Sequence, residues 1–296
     1  MLIAGYEIEA RIGRGGMAEV FRGRVVGGPR AGSPVAVKRL LPALASEPSH
    51  VALFAREAQL AAELDYPGIV AVLETGLDAS APYMVMEYVD GPDLKRLLSA
   101  CAARGIRLPL DFALYVGHAV AEALQYAHGA RGRDGRPLGI VHCDVSPSNV
   151  FVSREGEVKL GDFGVARAAG EGRGRTVFGK VRYLAPEQLR GEAVRPRTDV
   201  FGLGAVLHEL LTGSPAFPGT EPGEVARRIL SGARRPPSAD RPEVQPEVDA
   251  IVLRALSLDQ RHEDAGLLAA ELAPRYDPAV GNPLAIAALV RGLMPG

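Results

Sequence analysis

Residues 139–164 read GIVHCDVSPSNVFVSREGEVKLGDFG. An Asp-bearing loop is followed by two short apolar runs, 150–153 and 158–160, with the polar stretch Arg154-Glu155-Gly156-Glu157 between them. That is the pattern of strand, turn and strand. A turn centred on Glu155-Gly156 pairs Asn149 with Asp162 across the mouth of the hairpin, their Cβ atoms about 5 Å apart. A carboxylate and an amide oxygen at that separation suit a hard cation, with Asp144 one short loop away. The same spacing also fits an ordinary hairpin with polar ends, and spacing alone does not separate the two.

Bulk properties narrow the field. The chain has 296 residues, enough for two units with ample cores. Its 34 Lys and Arg against 35 Asp and Glu give a net charge of −1, so no strongly basic face is implied. Nucleic acid and anionic membrane are therefore not expected partners. Cys101 and Cys143 stand in unrelated contexts, which gives neither a disulfide framework nor a zinc pattern and fits a reducing compartment. The opening residues lack a basic segment followed by a long apolar one, so a secretion signal is not expected. No apolar run reaches the ~18–20 residues of a membrane helix, since 110–129 carries Asp111, His118 and Glu122. A cytoplasmic location follows as the expectation.

Residues 6–40 alternate like strands around Gly13-Arg14-Gly15-Gly16, and Val35-Ala36-Val37-Lys38 is a short strand. The glycines let backbone N–H groups approach a phosphate closely. Neither a Walker loop nor a dinucleotide-binding strand–helix unit follows, so both common alternatives fail. Val51, Phe54, Ala58, Ala61 and Leu64 recur at helical spacing over 48–64. Glu57 sits at the edge of that stripe, either solvated or paired with Lys38. Strands follow near 69–77 and 83–88, and Asp90-Gly91-Pro92 marks a boundary.

Beyond it, helices are expected at 94–104 and 110–129, with a polar surface loop at 130–139. A basic stretch over 165–183 has little regular pattern. Residues 198–213 are apolar on nearly every face, which marks a buried helix with Thr198 as N-cap and Gly213 closing it. Asp199 then sits on the positive helix end, and a second role that does not exclude the first is to accept bonds from the backbone of the Asp144 loop. Further helices are expected at 224–232 and 246–272, and 284–293 is a short apolar piece. The fold class is α+β: a small sheet-rich unit over 6–90, a larger helical one over 91–273, and a tail over 274–296.

The order of these pieces resembles the protein kinase signature set, in the style of bacterial, eukaryotic-like Ser/Thr kinases. Gly13 to Val20 resembles the loop over the ATP phosphates, Val35 to Lys38 the strand with the phosphate-binding lysine, and HCDVSPSN at 142–149 the catalytic loop. DFG at 162–164 and APE at 185–187 are unaltered, and PYMVMEYVDG at 82–91 is similar to the hinge. The likeness spans 6–272 and implies a bilobal kinase fold using ATP and Mg²⁺ on Ser/Thr acceptors of protein substrates, with a homodimer allowed. It implies that Ile12, Gly13, Arg14, Gly15, Gly16, Met17, Ala18, Glu19 and Val20 cover the nucleotide. Lys38, paired with Glu57, would hold the α- and β-phosphates. Val20 and Ala36 would flank the adenine with Met86 behind it. The backbone of Glu87 and Val89 would bond the base, and Asp93 would reach the ribose. Asp144 would take the substrate's proton, and Asn149 and Asp162 would bind Mg²⁺.

Four departures stand out. Ala18 replaces the loop's third glycine. Cys143 stands where the family has Arg, which removes a phosphate partner for the activation loop, whose one Ser or Thr before Pro186 is Thr176. Ser146 stands where a lysine is usual, and Lys180 where a threonine is usual, so the ammonium is expected to serve the γ-phosphate from Lys180 while Ser146 receives a hydrogen bond. ALSLDQRHEDA at 255–265 is short, with Arg261 the candidate ion-pair partner of Glu187. A pseudokinase scaffold is the competing reading, favoured by HCDVS. Lys38, Glu57, Asp144, Asn149 and Asp162 are all retained, which weighs against it.

Overall fold

The computed structural model of the chain describes residues 2–78, 81–163, 167–168 and 180–294. Contacts divide it into two compact units, Met1–Val89 and Asp90–Gly296.

The first unit is built on one antiparallel sheet. Its strands are β1 (Leu2–Ile3), β2 (Tyr6–Arg14), β3 (Ala18–Val25), β4 (Pro34–Leu40), β5 (Val72–Asp78) and β6 (Ala81–Glu87), in the order β1-β2-β3-β4-β6-β5. Strand β1 was not anticipated: it is two residues long, and Ala4 and Gly5 turn it back with positive φ. Alternation puts Phe21, Val35, Val37, Tyr83 and Val85 on one face, where they bury Ile3. Helix α1 (Pro48–Ala62) packs on β5 and β6 and buries Phe54, Glu57, Ala58 and Ala61. Glu57 thus lies on the buried face, three residues after Phe54, rather than at its edge.

The second unit is mainly helical. Helices α2 (Leu94–Ala103) and α3 (Leu110–Gly129) precede β7 (Ile140–Val141), β8 (Val150–Val152), β9 (Val158–Leu160) and β10 (Arg167–Ala168). Then come α4 (Pro186–Arg190), α5 (Pro196–Thr212), α6 (Pro222–Leu230), α7 (Pro246–Ala255), α8 (Ala265–Leu272) and α9 (Pro283–Leu293). Helix α5 is the axis of this core. Val200, Phe201, Leu203, Val206, Leu207, Leu210 and Leu211 are all buried on it, against α3, α7 and α8. Each contributes about 1.5–3 kcal/mol of burial. Gly204 lets α7 approach, because a Cβ there would stand 2.8 Å from that of Ala255. No helix among the described residues is long and apolar enough to cross a membrane.

Three local expectations are corrected. Helix α5 begins at Pro196, whose fixed φ starts the first turn, so Arg195 is the N-cap and Thr198 lies at the third helical position. The stretch 246–272 is two helices, α7 and α8, broken by the polar residues after Leu256. The hairpin register is one residue away from the expected one: Val150 pairs with Leu160 and Val152 with Val158. The cause is Ser153. Its hydroxyl accepts the N–H groups of Glu155 and Glu157 at 3.2 and 3.0 Å, closing a five-residue turn centred on Glu155. Asn149 therefore lies opposite Gly161, whose N–H it accepts at 2.9 Å, and Asp162 is one residue further on. Thr176 and Gly164 lie outside the described residues.

At the start of the second unit, the backbone of Gly91 lies directly on β8. A Cβ at this position would stand 2.0 Å from the Val152 carbonyl oxygen and 2.8 Å from the Ser153 Cα, both unyielding backbone atoms. Gly91→Ala is expected to destabilise the second unit by about 1–3 kcal/mol through overpacking. Denaturant unfolding checks this, and an unchanged midpoint would show that the close approach is not held in solution.

Candidate active site

In the first unit, β2 and β3 form a hairpin in which Gly13 faces Val20 and Arg14 faces Glu19. The Gly15 N–H donates to the Ala18 carbonyl at 2.8 Å, closing a turn through Gly16 and Met17. Glu19 accepts from Arg11 at 3.0 Å and lies 3.8 Å from Arg14, and Ile12 is half exposed. The fold does not require glycine in this turn. Gly15 and Gly16 have no positive φ, a Cβ on Gly16 would meet nothing within 4 Å, and one on Gly15 would meet only a carbonyl at 3.7 Å. The open space at these positions suits a ligand that the backbone approaches closely.

Lys38 lies on β4 between Val20 of β3 and Met84 of β6. Its ammonium is 2.5 Å from Glu57 Oε1, and the two side chains are 12% and 4% exposed. The pair expected from sequence is therefore formed, in partial burial that strengthens the attraction. Ala36 is buried and paired with Met86. The Glu87 N–H is engaged by the Ala71 carbonyl at 2.9 Å, so any bond from Glu87 to a base would use its carbonyl.

In the second unit, one buried carboxylate organises the loop after β7. Asp199 Oδ2 accepts the His142 N–H at 2.8 Å, and Oδ1 accepts the Cys143 N–H at 2.7 Å. His128 Nε2 bonds the same Oδ2 at 2.8 Å. Asp199 combines the two positions expected of it, standing in the first turn of α5 and gripping the loop. Cys143 is held at φ 65°, an unusual region for a residue with a Cβ. Its carbonyl accepts Gln188 Nε2 at 2.8 Å. His142 is fully buried and links both arms of the site. Nδ1 accepts the Asp144 N–H at 3.2 Å, and Nε2 donates to the Gly161 carbonyl at 3.1 Å. These bonds fix a neutral ring with its proton on Nε2. The ring also packs on Phe163, centroids 4.5 Å apart.

Asn149 Nδ2 donates to the Asp144 backbone carbonyl at 2.8 Å and to Asp144 Oδ2 at 2.9 Å. With the nitrogen so used, Oδ1 is the end left to accept. Lys180 bonds Asp144 Oδ2 and lies 3.4 Å from Asn149 Oδ1. The Ser146 hydroxyl, expected to receive a hydrogen bond, pairs with that of Ser148 at 3.2 Å. Asp162 carries φ 60°, tolerated by a short polar side chain, and it is exposed between buried Gly161 and Phe163. Asp93 caps α2 by accepting the Arg96 N–H at 2.8 Å.

Below the loop, Arg261 Nη1 is 2.7 Å from Glu187 Oε1, which also accepts the Thr198 hydroxyl at 2.9 Å. Burial alone would raise the Glu187 pKa. The adjacent Arg261 charge and the hydrogen bonds outweigh it and hold the carboxyl below its ordinary value. Tyr183 donates to Glu209 at 2.6 Å, and burial followed by the Glu209 charge drives its phenol far above the usual value. The contributions of His128, Gln188, Tyr183 and Glu209 were not visible in the sequence, where none carries a local signal.

A model of the protein kinase domain matches residues 6–262. The probable serine/threonine-protein kinase SCO3848 of Streptomyces coelicolor is 42% identical over 97% of this chain and 42% of its own length. The tyrosine-protein kinase MasK of Myxococcus xanthus is 37% identical over 85% of this chain and 40% of its own. The crystal structure of the Mycobacterium tuberculosis PknI kinase domain is similar with a TM-score of 0.68 and 28% identity, covering 93% of this chain and 98% of that one. The chain thus spans about two fifths of the length of the curated relatives it matches.

The Glu187 carboxylate supplies stability above its unfolded pKa that is lost as pH falls through its lowered folded value. Arg261→Ala is expected to cost about 3–5 kcal/mol, because it leaves a buried carboxylate without its cation. It should also move the onset of acid unfolding to higher pH. Thermal melts of both proteins from neutral pH downward check this, and parallel curves would remove Glu187 from the account.

Proposed function

The chain belongs to the protein kinase domain family, and from that premise we propose that it transfers the γ-phosphate of ATP to serine or threonine hydroxyls of proteins in bacterial signalling. The observation that carries the proposal is the cluster of Asp144, Asn149 and Lys180, in which a carboxylate, an amide and an ammonium meet. Asp144 accepts the proton of the acceptor hydroxyl through the carboxylate that Asn149 orients. The turn beyond Gly15, whose own N–H is taken by the Ala18 carbonyl, gives the phosphates backbone N–H groups, and Lys38, aligned by Glu57, takes the α- and β-phosphates. Val20, Ala36 and Met86 supply apolar surface for the adenine. The Glu87 carbonyl and the Val89 backbone bond its edge, and the Asp93 oxygen not used in capping serves the ribose.

The donor set fits Mg²⁺. Asn149 Oδ1 and the exposed Asp162 carboxylate are hard oxygens of the kind that ion prefers, and the Asn149 amide is already turned to offer oxygen. When bound, the ion neutralises charge on the phosphate oxygens. The other charge comes from Lys180. Its ammonium rests on Asp144 in this structure and serves the γ-phosphate once a nucleotide is present, in place of the lysine that Ser146 replaces. The reaction then belongs in the cytoplasm, where ATP is supplied.

The test is transfer of labelled phosphate from Mg-ATP to a generic protein substrate. Asp144→Asn should lower kcat by about 10²–10⁴-fold, while equal rates for mutant and wild type would leave a scaffold without turnover. Acid hydrolysis of the product should return phosphoserine and phosphothreonine, and phosphotyrosine alone would move the chain to the acceptor class named for MasK. Lys180→Met should lower kcat/KM by at least about tenfold, since it removes a charge-assisted contact. An unchanged value would leave Lys180 a solvated lysine.

A further inference from the structure

The hairpin of β8 and β9 bears the two proposed Mg²⁺ ligands, Asn149 just before it and Asp162 just after it. It has only three paired positions, Val150–Leu160, Phe151–Lys159 and Val152–Val158. A ribbon that short is marginal on its own. Its far end is fastened from two sides. On one side, the Val152 N–H donates to the Pro92 carbonyl at 3.0 Å and the Arg154 N–H to the Asp90 carbonyl at 2.7 Å.

On the other side is the tail, beyond the last residue matched by the kinase domain model. Helix α9 is capped by Asn282, which accepts the Ala285 N–H at 3.0 Å, and it buries Ile286, Ala287 and Val290 while packing on α2. Its first residue reaches the hairpin turn. A Cβ on Gly156 would stand 1.8 Å from the Pro283 carbonyl oxygen, so the tail's backbone occupies the space a side chain would need. One face further along, Arg291 Nη1 donates to the Arg154 carbonyl at 2.7 Å. The turn 153–157 is thus held by backbone contact at Gly156 and by a charged donor at Arg154.

We infer that α9 is a positioning element for the metal-ligand hairpin, with Gly156 and Arg291 as its positioning residues. The inference rests on the kinase reading for what the hairpin binds. Its physical content is that docking of the tail sets the freedom of Asn149 and Asp162. Groups that orient ligands typically change metal affinity by about 10–100-fold. Arg291 acts one step further out, so its loss should weaken Mn²⁺ binding in the presence of ADP by about three- to tenfold.

The experiment uses the full chain as wild type, Arg291→Ala, Arg291→Lys and Ile286→Asp, the last to lift α9 from its seat. Backbone hydrogen exchange is measured over 149–162 without nucleotide, and Mn²⁺ binding with ADP is measured by titration. Arg291→Ala and Ile286→Asp should speed exchange of the hairpin and weaken Mn²⁺ binding, with Arg291→Lys restoring both in large part. Faster exchange confined to α9, with the hairpin and Mn²⁺ affinity unchanged, would overturn the inference, since the tail would then be a passenger. A wild-type chain that takes up no Mn²⁺ with ADP would instead sink the kinase reading, and with it the ligand role of the hairpin. Because Arg291→Ala removes one exposed hydrogen bond, it does not depend on the fate of the more disruptive variant.

Discussion

The candidate site in the second unit depends on one buried carboxylate. Asp199 takes two consecutive backbone N–H groups, those of His142 and Cys143, on its two oxygens. Cys143, whose N–H is the second of these donors, stands at φ 65°. A strain of that kind persists only where surrounding bonds hold it. The carboxylate in turn is fixed on the first turn of α5, the most completely buried helix of the described residues. From there the constraint passes outward through His142, whose ring bonds the Asp144 N–H on one side and the Gly161 carbonyl on the other. The loop with Asp144 and the strand leading to Asp162 are therefore referenced to one imidazole.

An ammonium reaches the Asp144 loop from position 180 rather than from position 146. Ser146 is buried and its hydroxyl is paired with that of Ser148. Lys180 comes from the other side of the loop and reaches Asp144 and Asn149 with its side chain partly exposed. An ammonium so placed balances the Asp144 carboxylate and stays near enough to solvent to be redirected. Lys38 and Glu57 show the same economy in the first unit, where a strand and a helix each contribute one charge to a partly buried pair.

Much of this was legible from local chemistry. The glycine turn, the Lys38 strand, the limits of α3, the Lys38–Glu57 pair and the Arg261–Glu187 pair follow from periodicity or from motif order. What the sequence misplaced depended on single side chains that redirect the backbone. The Ser153 hydroxyl lengthened a turn and moved the pairing of Asn149 from Asp162 to Gly161. Pro196 opened α5 before Thr198 could cap it. What the sequence missed altogether, the His128 and Gln188 bonds and the docking of α9 on Gly156, joins residues far apart in the chain. Gly156 reads as an ordinary turn glycine until the Pro283 carbonyl is found against it.

The most direct measurement is steady-state kinetics of Asp199→Asn, which keeps the shape of the side chain and replaces one acceptor oxygen with a donor. One of the two loop N–H groups then faces an NH₂ group, a buried mismatch worth about 1–3 kcal/mol. A loop released by about an ångström should cost about a hundredfold in kcat, with KM for ATP nearly unchanged because Lys38 and the glycine turn are untouched. A kcat equal to wild type in a protein of unchanged melting temperature would contradict the claim that this carboxylate holds the Asp144 loop in its working geometry.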